Sequence, residues 1–314
     1  MKYSFVIPCY NSENTISIVV NEIAETMNKE NITSFDYEIV LINDYSKDNT
    51  GKIIKQLAQT HNNITAIQFS KNFGQDSACL AGYAQTSGQY IITLDDDGQT
   101  PACEVMTLIN KLEEGYDVVF GKYPQKHHSK FRNWGSRVND FMACKLINKP
   151  KDLYLCSYFV ARKFVIDEIL NYDNPYPYIR GLLLRTTSNM CNVPINHRDR
   201  LVGESTYTLK KLISLWFNGF TAFSIKPLRV SVVIGLLAAL FSVMLIIYAL
   251  FQKVTDPALE LGWTSLISVI SLFSGLILMT LGLIGEYIGR IYISLNKSPQ
   301  YVIKEITKAH HPYE

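Results

Sequence analysis

The sequence predicts an α/β protein in which a mostly parallel sheet is followed by membrane helices. Strand and helix patterns alternate with short connections over residues 3–120, which indicates parallel strands covered by helices on both faces. Polar side chains collect where the predicted strands end, and two long uncharged apolar runs follow near the C-terminus. These three observations predict a ligand-binding globular domain that is attached to a membrane.

Five strands and four helices are predicted in the first part of the chain. Short apolar runs predict strands at 3–7, at 37–42, at 65–69, from Tyr90 and at 117–120. Helical spacing predicts helices at 14–27 with Asn14 as the cap, from residue 48 or 49, at 75–85 and at 101–114. Because ligands bind beyond the carboxyl ends of the strands in such sheets, we expect the site at that edge.

The fourth predicted strand ends in three consecutive carboxylates, Asp95, Asp96 and Asp97, before Gly98 and Gln99. Side chains alternate along an extended segment, so Asp95 and Asp97 share a face while Asp96 points away. Two carboxylates this close repel each other unless a cation lies between them. Oxygen ligands suit Mg²⁺ or Mn²⁺, with substrate phosphates completing the coordination. An acidic turn, for which Asp-Gly is typical, is the alternative that this stretch alone leaves open.

Polar groups follow the other predicted strands as well. They are Pro8, Tyr10, Asn11 and Glu13 after the first strand, Asn43 and Asp44 after the second, Asn72, Gly74 and Gln75 after the third, and Lys122 after the fifth. Five such ends on one rim predict a pocket. Acceptors such as Asn43 and Asp44 suit a base and a ribose, whereas Lys122 and a metal suit phosphates. The chain has neither a dinucleotide-binding fingerprint nor a P-loop motif.

Composition sets further limits. The 314 residues are enough for one sizeable globular domain and an additional segment. The six cysteines have no Cys-x-x-Cys spacing, which argues against a zinc site or a disulfide framework and favours a reducing compartment. No signal peptide is expected, because Lys2 is followed by a short strand-like run. A net charge of +2 gives no reason to expect a nucleic-acid partner. The sequence leaves open whether the protein forms a homo-oligomer.

Residues 1–125 resemble the nucleotide-sugar-binding half of the family-two, inverting GT-A glycosyltransferases, which have a Rossmann-like fold. The matching motifs are Ile7-Pro8-Cys9-Tyr10-Asn11, Asn43-Asp44-Tyr45-Ser46-Lys47-Asp48-Asn49-Thr50, Asn72-Phe73-Gly74-Gln75 with Ala78 and Gly82, and Asp95-Asp96-Asp97-Gly98-Gln99. The resemblance narrows to the polyprenyl-phosphate branch and extends over nearly the whole chain. That branch includes dolichyl-phosphate mannose synthase, bacterial undecaprenyl-phosphate glycosyltransferases of the O-antigen-modifying type and the aminoarabinose-lipid transferase.

The resemblance implies roles for particular residues. Asp95, Asp97 and Gln99 hold the metal. The nucleotide sugar is bound by Pro8, Tyr10, Asn11, Glu13, Asn43, Asp44, Asn72, Gly74, Gln75, Asp95, Asp96 and Lys122. Asp97 and Asp152 are the catalytic candidates. Two departures from the family pattern concern the base: Asn43-Asp44-Tyr45-Ser46 replaces Asp-Asp-Gly-Ser, and Ser12 stands where Glu often follows Tyr-Asn.

The middle of the chain is expected to bind the acceptor. Arg132 and Arg137 lie on a predicted helix and suit the phosphate of a lipid, although a solvated basic helix face is an equal alternative. By resemblance, Arg200 and Ser205 close over the donor and acceptor phosphates, and a capped helix start is compatible with this role. Members of the branch often carry an acidic residue in the region of Asp152, and the sequence leaves open whether Asp152 is its counterpart. An acceptor phosphate is already anionic and needs little help from a general base.

The C-terminal part is expected to attach the protein to a membrane. A globular domain at 1–205 is followed by a predicted amphipathic interface helix at 206–227, for which a core helix is the alternative. Apolar runs at about 230–251 and 261–284 predict a two-helix transmembrane hairpin within 228–290. Positive charges flank both ends of the hairpin, which places the catalytic domain and both termini in the cytoplasm. In the cytoplasmic tail, 291–314, residues 300–306 alternate weakly and are a candidate strand that returns to the globular domain.

The sequence therefore predicts a bacterial plasma-membrane enzyme that modifies cell-envelope glycans. It is expected to use Mg²⁺ or Mn²⁺ and to transfer a sugar, with inversion, from a UDP- or GDP-linked donor to a polyprenyl phosphate, undecaprenyl phosphate above all. Two alternatives stay open. One is a glycosyltransferase with another lipid or a polysaccharide as acceptor, although the Gln-x-x-Arg-Trp motif of processive synthases is absent. The other is a non-catalytic, nucleotide-binding membrane scaffold.

Overall fold

The computed structural model describes residues 1–123, 149–175, 177–196, 198, 226–255, 263–296 and 298–309. The chain forms two compact units. The first consists of Met1–Lys211 together with Lys297–Glu314, and the second consists of Leu212–Asn296. Most of the predicted amphipathic helix, residues 206–225, lies outside the described part of the chain.

The first unit contains an eight-stranded sheet in the order β7-β5-β6-β4-β1-β2-β3-β8. The strands are β1 Tyr3–Cys9, β2 Tyr37–Asn43, β3 Ile64–Phe69, β4 Tyr90–Thr93, β5 Val118–Lys122, β6 Phe159–Arg162, β7 Met190–Pro194 and β8 Ile303–Lys308. Strands β4, β1, β2 and β3 pair in parallel. Strand β6 is antiparallel to both β4 and β5. The predicted mostly parallel sheet is thus a mixed sheet with a parallel centre.

Helices follow most strands of the sheet. They are α1 Ile16–Lys29, α2 Thr50–Thr60, α3 Gln75–Tyr83, α4 Val105–Glu113, α5 Lys163–Leu170 and α6 Ile179–Thr186, and a 3₁₀ turn at Ala102–Glu104 precedes α4. The cap of α1 is Thr15 rather than the predicted Asn14, because the N–H groups of Thr15 and Ile16 already bond to the Ser12 carbonyl oxygen. All seven residues of β1 are buried, so this strand lies in the middle of the core.

Strand β8 brings the C-terminal segment into the sheet of the first unit, where it pairs antiparallel with β3. The ring of Tyr301 stacks on that of Phe69, with centroids 5.7 Å apart. Gln300 Nε2 donates to the carbonyl oxygen of Asn174 at 2.8 Å, and Lys55 forms an ion pair with Glu305. The prediction that residues 300–306 return to the globular domain is therefore confirmed.

The second unit contains two long helices, α7 Lys226–Thr255 and α8 Trp263–Leu295. Ser231 Oγ and Thr280 Oγ1 join them by a hydrogen bond of 2.9 Å. Within the described residues, one stretch, Leu272–Leu295, is long and apolar enough to cross a membrane by its length and composition. The predicted spans fall within α7 and, from residue 263, within α8. The two-span hairpin stays a prediction.

Candidate active site

The loops that follow β1 and β2 interlock at the carboxyl edge of the sheet. The Asn11 N–H donates to Ser46 Oγ at 3.0 Å, and the Glu13 N–H donates to Asp48 Oδ2 at 3.1 Å. In the other direction, Asn49 donates to Glu13 Oε2 from both its backbone N and its Nδ2, each at 2.9 Å. Asn11 and Glu13, predicted to bind the nucleotide sugar, thus also hold the two loops together.

The rim of this edge carries two exposed aromatic rings, those of Tyr10 and Tyr45, which are 47% and 53% exposed. Tyr45 has a φ of 60° and Asn11 a φ of 54°, in the left-handed region that costs an ordinary residue about 1–2 kcal/mol. The backbone at Tyr45 therefore keeps the conformation for which the glycine of the family motif is suited. The ring that replaces this glycine adds an aromatic surface to the rim.

Asn43 is buried and uses its side chain within the fold. Its Oδ1 accepts from the Ser46 N–H at 3.0 Å, and its Nδ2 donates to Gln68 Oε1 at 2.6 Å. Gln68 Nε2 in turn donates to the Gly51 carbonyl oxygen at 2.8 Å. The Asn43 amide thus fixes the turn that presents Asp44 and Tyr45.

Asp44 is also buried and joins the ends of β2 and β3. Its Oδ1 accepts from the Phe73 N–H at 2.7 Å and its Oδ2 accepts from the Gly74 N–H at 2.8 Å. The Asn72 side chain donates to the Asp44 carbonyl oxygen at 3.0 Å. Burial raises the pKa of Asp44, and the two N–H groups oppose this shift. Asp44 therefore holds the 72–74 turn, where Gly74 has a φ of 93°.

Asp96 lies in a turn after β4 and faces the loop that follows β1. The Tyr10 N–H donates to its Oδ2 at 2.9 Å. Burial raises the pKa of Asp96 to about 6, while the Tyr10 N–H opposes the shift. Asp96 therefore links the acidic segment to the loop that carries the exposed Tyr10 ring.

Asp95 is held from two sides by groups distant in sequence. Gln75 Nε2 donates to its Oδ1 at 2.8 Å, and Ser157 Oγ donates to its Oδ2 at 2.5 Å. Burial raises the pKa of Asp95, and the nearby charge of Asp97 adds to the shift. Since a cation relieves such repulsion, the pair has the electrostatics of a metal-binding site.

The donor set fits a divalent metal. Asp97 Oδ1 accepts from the Gln99 backbone N–H at 3.1 Å, which closes a local turn, and Gln99 Nε2 donates to the Arg198 carbonyl oxygen at 3.4 Å. Among the described residues, no group of three or more His, Cys, Asp or Glu side chains is placed to hold a metal. Two carboxylates and an amide nevertheless suit Mg²⁺ or Mn²⁺, which are commonly bound by one or two carboxylates together with substrate phosphates.

Three further predicted residues lie in the described part of the chain, and four lie outside it. Pro8 is buried within β1, Lys122 is exposed at the end of β5, and Asp152 is exposed. The proposed phosphate and acceptor residues Arg132, Arg137, Arg200 and Ser205 lie outside the described part of the chain. Their roles, like those of the other site residues, stay predictions.

Three residues near Asp95 were missed by sequence reasoning: Asp76, Ser157 and Arg180. Arg180 is on α6 and lies close enough for its charge to oppose the rise in the pKa of Asp95. Asp76 follows Gln75 directly and lies in the first turn of α3, so the motif around Gln75 was a signal for it. Arg180 stands in no motif that would have marked it.

The chain is similar to known proteins over nearly its whole length. Residues 4–170 match the family described as glycosyl transferase family 2, and residues 226–291 match the GtrB C-terminal hairpin. The chain is 32% identical over 311 residues to the undecaprenyl-phosphate 4-deoxy-4-formamido-L-arabinose transferase of Yersinia enterocolitica, covering 98% of this chain and 94% of that protein. It is 31% identical over 309 residues to the uncharacterized glycosyltransferase YkcC of Bacillus subtilis, covering 97% of this chain and 94% of the relative.

The fold is similar to that of glucosyl-3-phosphoglycerate synthase from Mycobacterium tuberculosis, solved with Mn²⁺, UDP and glucosyl-3-phosphoglycerate. The TM-score is 0.50 at 17% identity, over 69% of this chain and 76% of that one. The sheet and its site edge thus define a GT-A-type α/β fold. The chain belongs to glycosyl transferase family 2 and is a glycosyltransferase. The predicted resemblance to the polyprenyl-phosphate branch is confirmed.

Proposed function

We propose that this enzyme transfers a sugar, with inversion, from a nucleotide diphosphate sugar to a polyprenyl phosphate, undecaprenyl phosphate above all, at the cytoplasmic face of the membrane. The observation that carries the proposal is the pair Asp95 and Asp97 at the carboxyl edge of the sheet, tied through Asp96 to the Tyr10 loop. The near full-length relationship to a protein named as an undecaprenyl-phosphate sugar transferase supports the acceptor.

The donor would lie along this edge. Asp95, Asp97 and Gln99 would hold Mg²⁺ or Mn²⁺, which neutralises charge on the leaving nucleotide diphosphate when it is bound. The exposed Tyr10 and Tyr45 rings offer surfaces on which a UDP or GDP base stacks. Gln75 and Ser157 keep the Asp95 carboxylate oriented. Lys122 and the loop residues predicted from the sequence complete the nucleotide-sugar site.

The proposed reaction needs little help from a general base. A phosphate monoester is already anionic near neutral pH, since its second pKa is about 6. One of its oxygens forms a bond to the anomeric carbon while the bond from that carbon to the diphosphate oxygen breaks on the opposite face. Arg132, Arg137, Arg200 and Ser205 would hold the acceptor phosphate. Asp152 is a candidate base whose loss this chemistry tolerates.

The C-terminal strand supports the two-span topology. The segments before and after the two long helices belong to the same compact unit, and β8 pairs with β3 inside the catalytic sheet. Both ends of the helical segment must therefore lie on the same side of a bilayer, which an even number of crossings satisfies. The positive charges that flank the helical segment favour the cytoplasm as that side.

An Asp97→Asn variant tests the proposal. We expect transfer from the nucleotide sugar to undecaprenyl phosphate to fall by about 100-fold or more, because the diphosphate loses a partner for the charge that develops on it. Extraction from membranes and thermal unfolding in detergent should match wild type. Asp173→Asn, the same change at an exposed position, is the control and should keep full activity. Undiminished transfer by Asp97→Asn would contradict the proposed role of the acidic segment in the reaction.

A further inference from the structure

A narrow cleft opens beside the Asp95 carboxylate. Its lining includes Gln75, Asp76, Ser157, Ile179 and Arg180, which come from α3, the segment before β6 and the start of α6. Gln75 and Ser157 are the two residues that donate hydrogen bonds to Asp95. The cleft therefore adjoins the position where the donor diphosphate and its sugar are proposed to lie. Its volume is about 20 Å³, room for one water-sized group.

Arg180 supplies the positive charge of this cleft. Its guanidinium lies over the Tyr178 ring, with its carbon 5.5 Å from the ring centroid. Burial lowers the pKa of Arg180, but Asp76 and then Tyr178 and Asp95 raise it by more, so the group stays charged. The ion pairs found among the described residues do not include Arg180. Its charge is thus balanced by nearby carboxylates without a direct salt bridge to them.

Asp76 supplies an acceptor in the same cleft. Its Oδ1 accepts from the Ile179 N–H at 3.3 Å, which fixes the carboxylate between α3 and α6. Burial raises the pKa of Asp76, and the charge of Arg180 opposes this shift. The cleft therefore presents a fixed donor and a fixed acceptor within one small space.

The chemistry of the lining selects the group that can enter. An anionic substituent would face the carboxylates of Asp76 and Asp95, and a cationic one would face Arg180. A hydroxyl is neutral, both donates and accepts, and has the size of the water that the cleft can hold. A bulkier substituent, such as an acetamido group, exceeds this volume.

We propose that Arg180 and Asp76 are specificity-determining residues that bind one uncharged hydroxyl of the donor sugar, with Arg180 donating to it and Asp76 accepting from it. This inference rests on the proposed function, because it takes the donor to be a nucleotide sugar held at Asp95. It adds that the transferred sugar is neutral at the substituent that enters the cleft, which disfavours nucleotide-linked uronic acids.

Binding to the full-length protein in detergent with Mn²⁺ tests this inference. Calorimetry measures the Kd of UDP alone and of UDP-glucose, UDP-galactose, UDP-xylose and UDP-glucuronate. If UDP does not bind, the matching GDP compounds are measured instead. The ratio of the Kd of the free diphosphate to that of its sugar conjugate measures what the sugar adds. The wild type should show its largest ratio with a neutral sugar.

The variants Arg180→Lys and Asp76→Asn should lower that ratio, and kcat/KM for the same donor, by about 10- to 100-fold, while the Kd of the free diphosphate changes less than about twofold. Arg185→Lys, the same change at an exposed position of α6, should change neither quantity. Equal weakening of free and sugar-linked diphosphate would overturn the inference, as would a preference for the uronate. If the wild type binds no nucleotide and transfers no sugar, the proposed function itself fails.

Discussion

Replacing Gly82 by alanine tests how closely α3 must approach the sheet. A Cβ at this position would lie 2.4 Å from Val6 Cγ1 and 2.7 Å from Ile42 Cδ1. Ordinary carbon contacts are about 3.5–4.0 Å, and Val6 and Ile42 are both fully buried, so neither side chain has space to withdraw. The helix must therefore move outwards by about 1 Å, and overpacking of this kind costs about 1–3 kcal/mol. We expect the upper part of that range.

The displacement should reach the site, because α3 begins at Gln75, whose side chain holds Asp95. Thermal unfolding in detergent should show a midpoint about 5–10 °C lower for Gly82→Ala, together with a reduced kcat/KM for the donor. Gly235→Ala is the control, since nothing lies within 4 Å of a Cβ there, and its midpoint should not fall. An unchanged midpoint for Gly82→Ala would refute the packing argument.

Two further predictions concern the tail and the metal. Tyr301→Ala removes the ring that stacks on Phe69, and chemical denaturation should show a free energy of unfolding about 1–2 kcal/mol lower. The change Val302→Ala at an exposed position is the control and should be neutral. Equal stability of the two variants would show that the Tyr301 ring does not hold the C-terminal segment on the sheet. Chelation by EDTA should abolish sugar transfer, and Mn²⁺ or Mg²⁺ should restore it, whereas full activity in excess EDTA would exclude the roles proposed for Asp95 and Asp97.

The parallel centre of the sheet could be predicted because its strands are short apolar runs separated by helical patterns. Strands β6 and β7 were missed. Strand β6 runs directly into α5 at Lys163 without a turn signal, and it enters the sheet between β4 and β5 by long-range pairing. Strand β7 has the sequence Met-Cys-Asn-Val-Pro, which is not a continuous apolar run. The return of β8 was visible as weak alternation, since one face of this edge strand packs and the other is exposed.

The acidic segment likewise combines local features, which the sequence predicts, with long-range contacts, which it does not. The three carboxylates are adjacent in the sequence, so their position at the end of β4 could be predicted, whereas the turn at 96–97 ends the alternation of side chains that was expected there. The partners of Asp95 are a long-range property. Ser157 lies 62 positions away in sequence, and the Ile179 N–H that fixes Asp76 lies 103 positions away. No local pattern encodes such distances, so the Arg180 cleft became visible only when the fold brought α3 and α6 together.

The most direct test of the proposed reaction is to identify its product. Purified full-length protein, a panel of UDP- and GDP-linked sugars, Mn²⁺ and undecaprenyl phosphate are incubated together, and the lipid fraction is examined by mass spectrometry and NMR. We predict a sugar linked to the lipid through one phosphate, with the anomeric configuration opposite to that of the donor. A lipid fraction free of sugar, or a product that keeps the donor's configuration, would contradict this prediction.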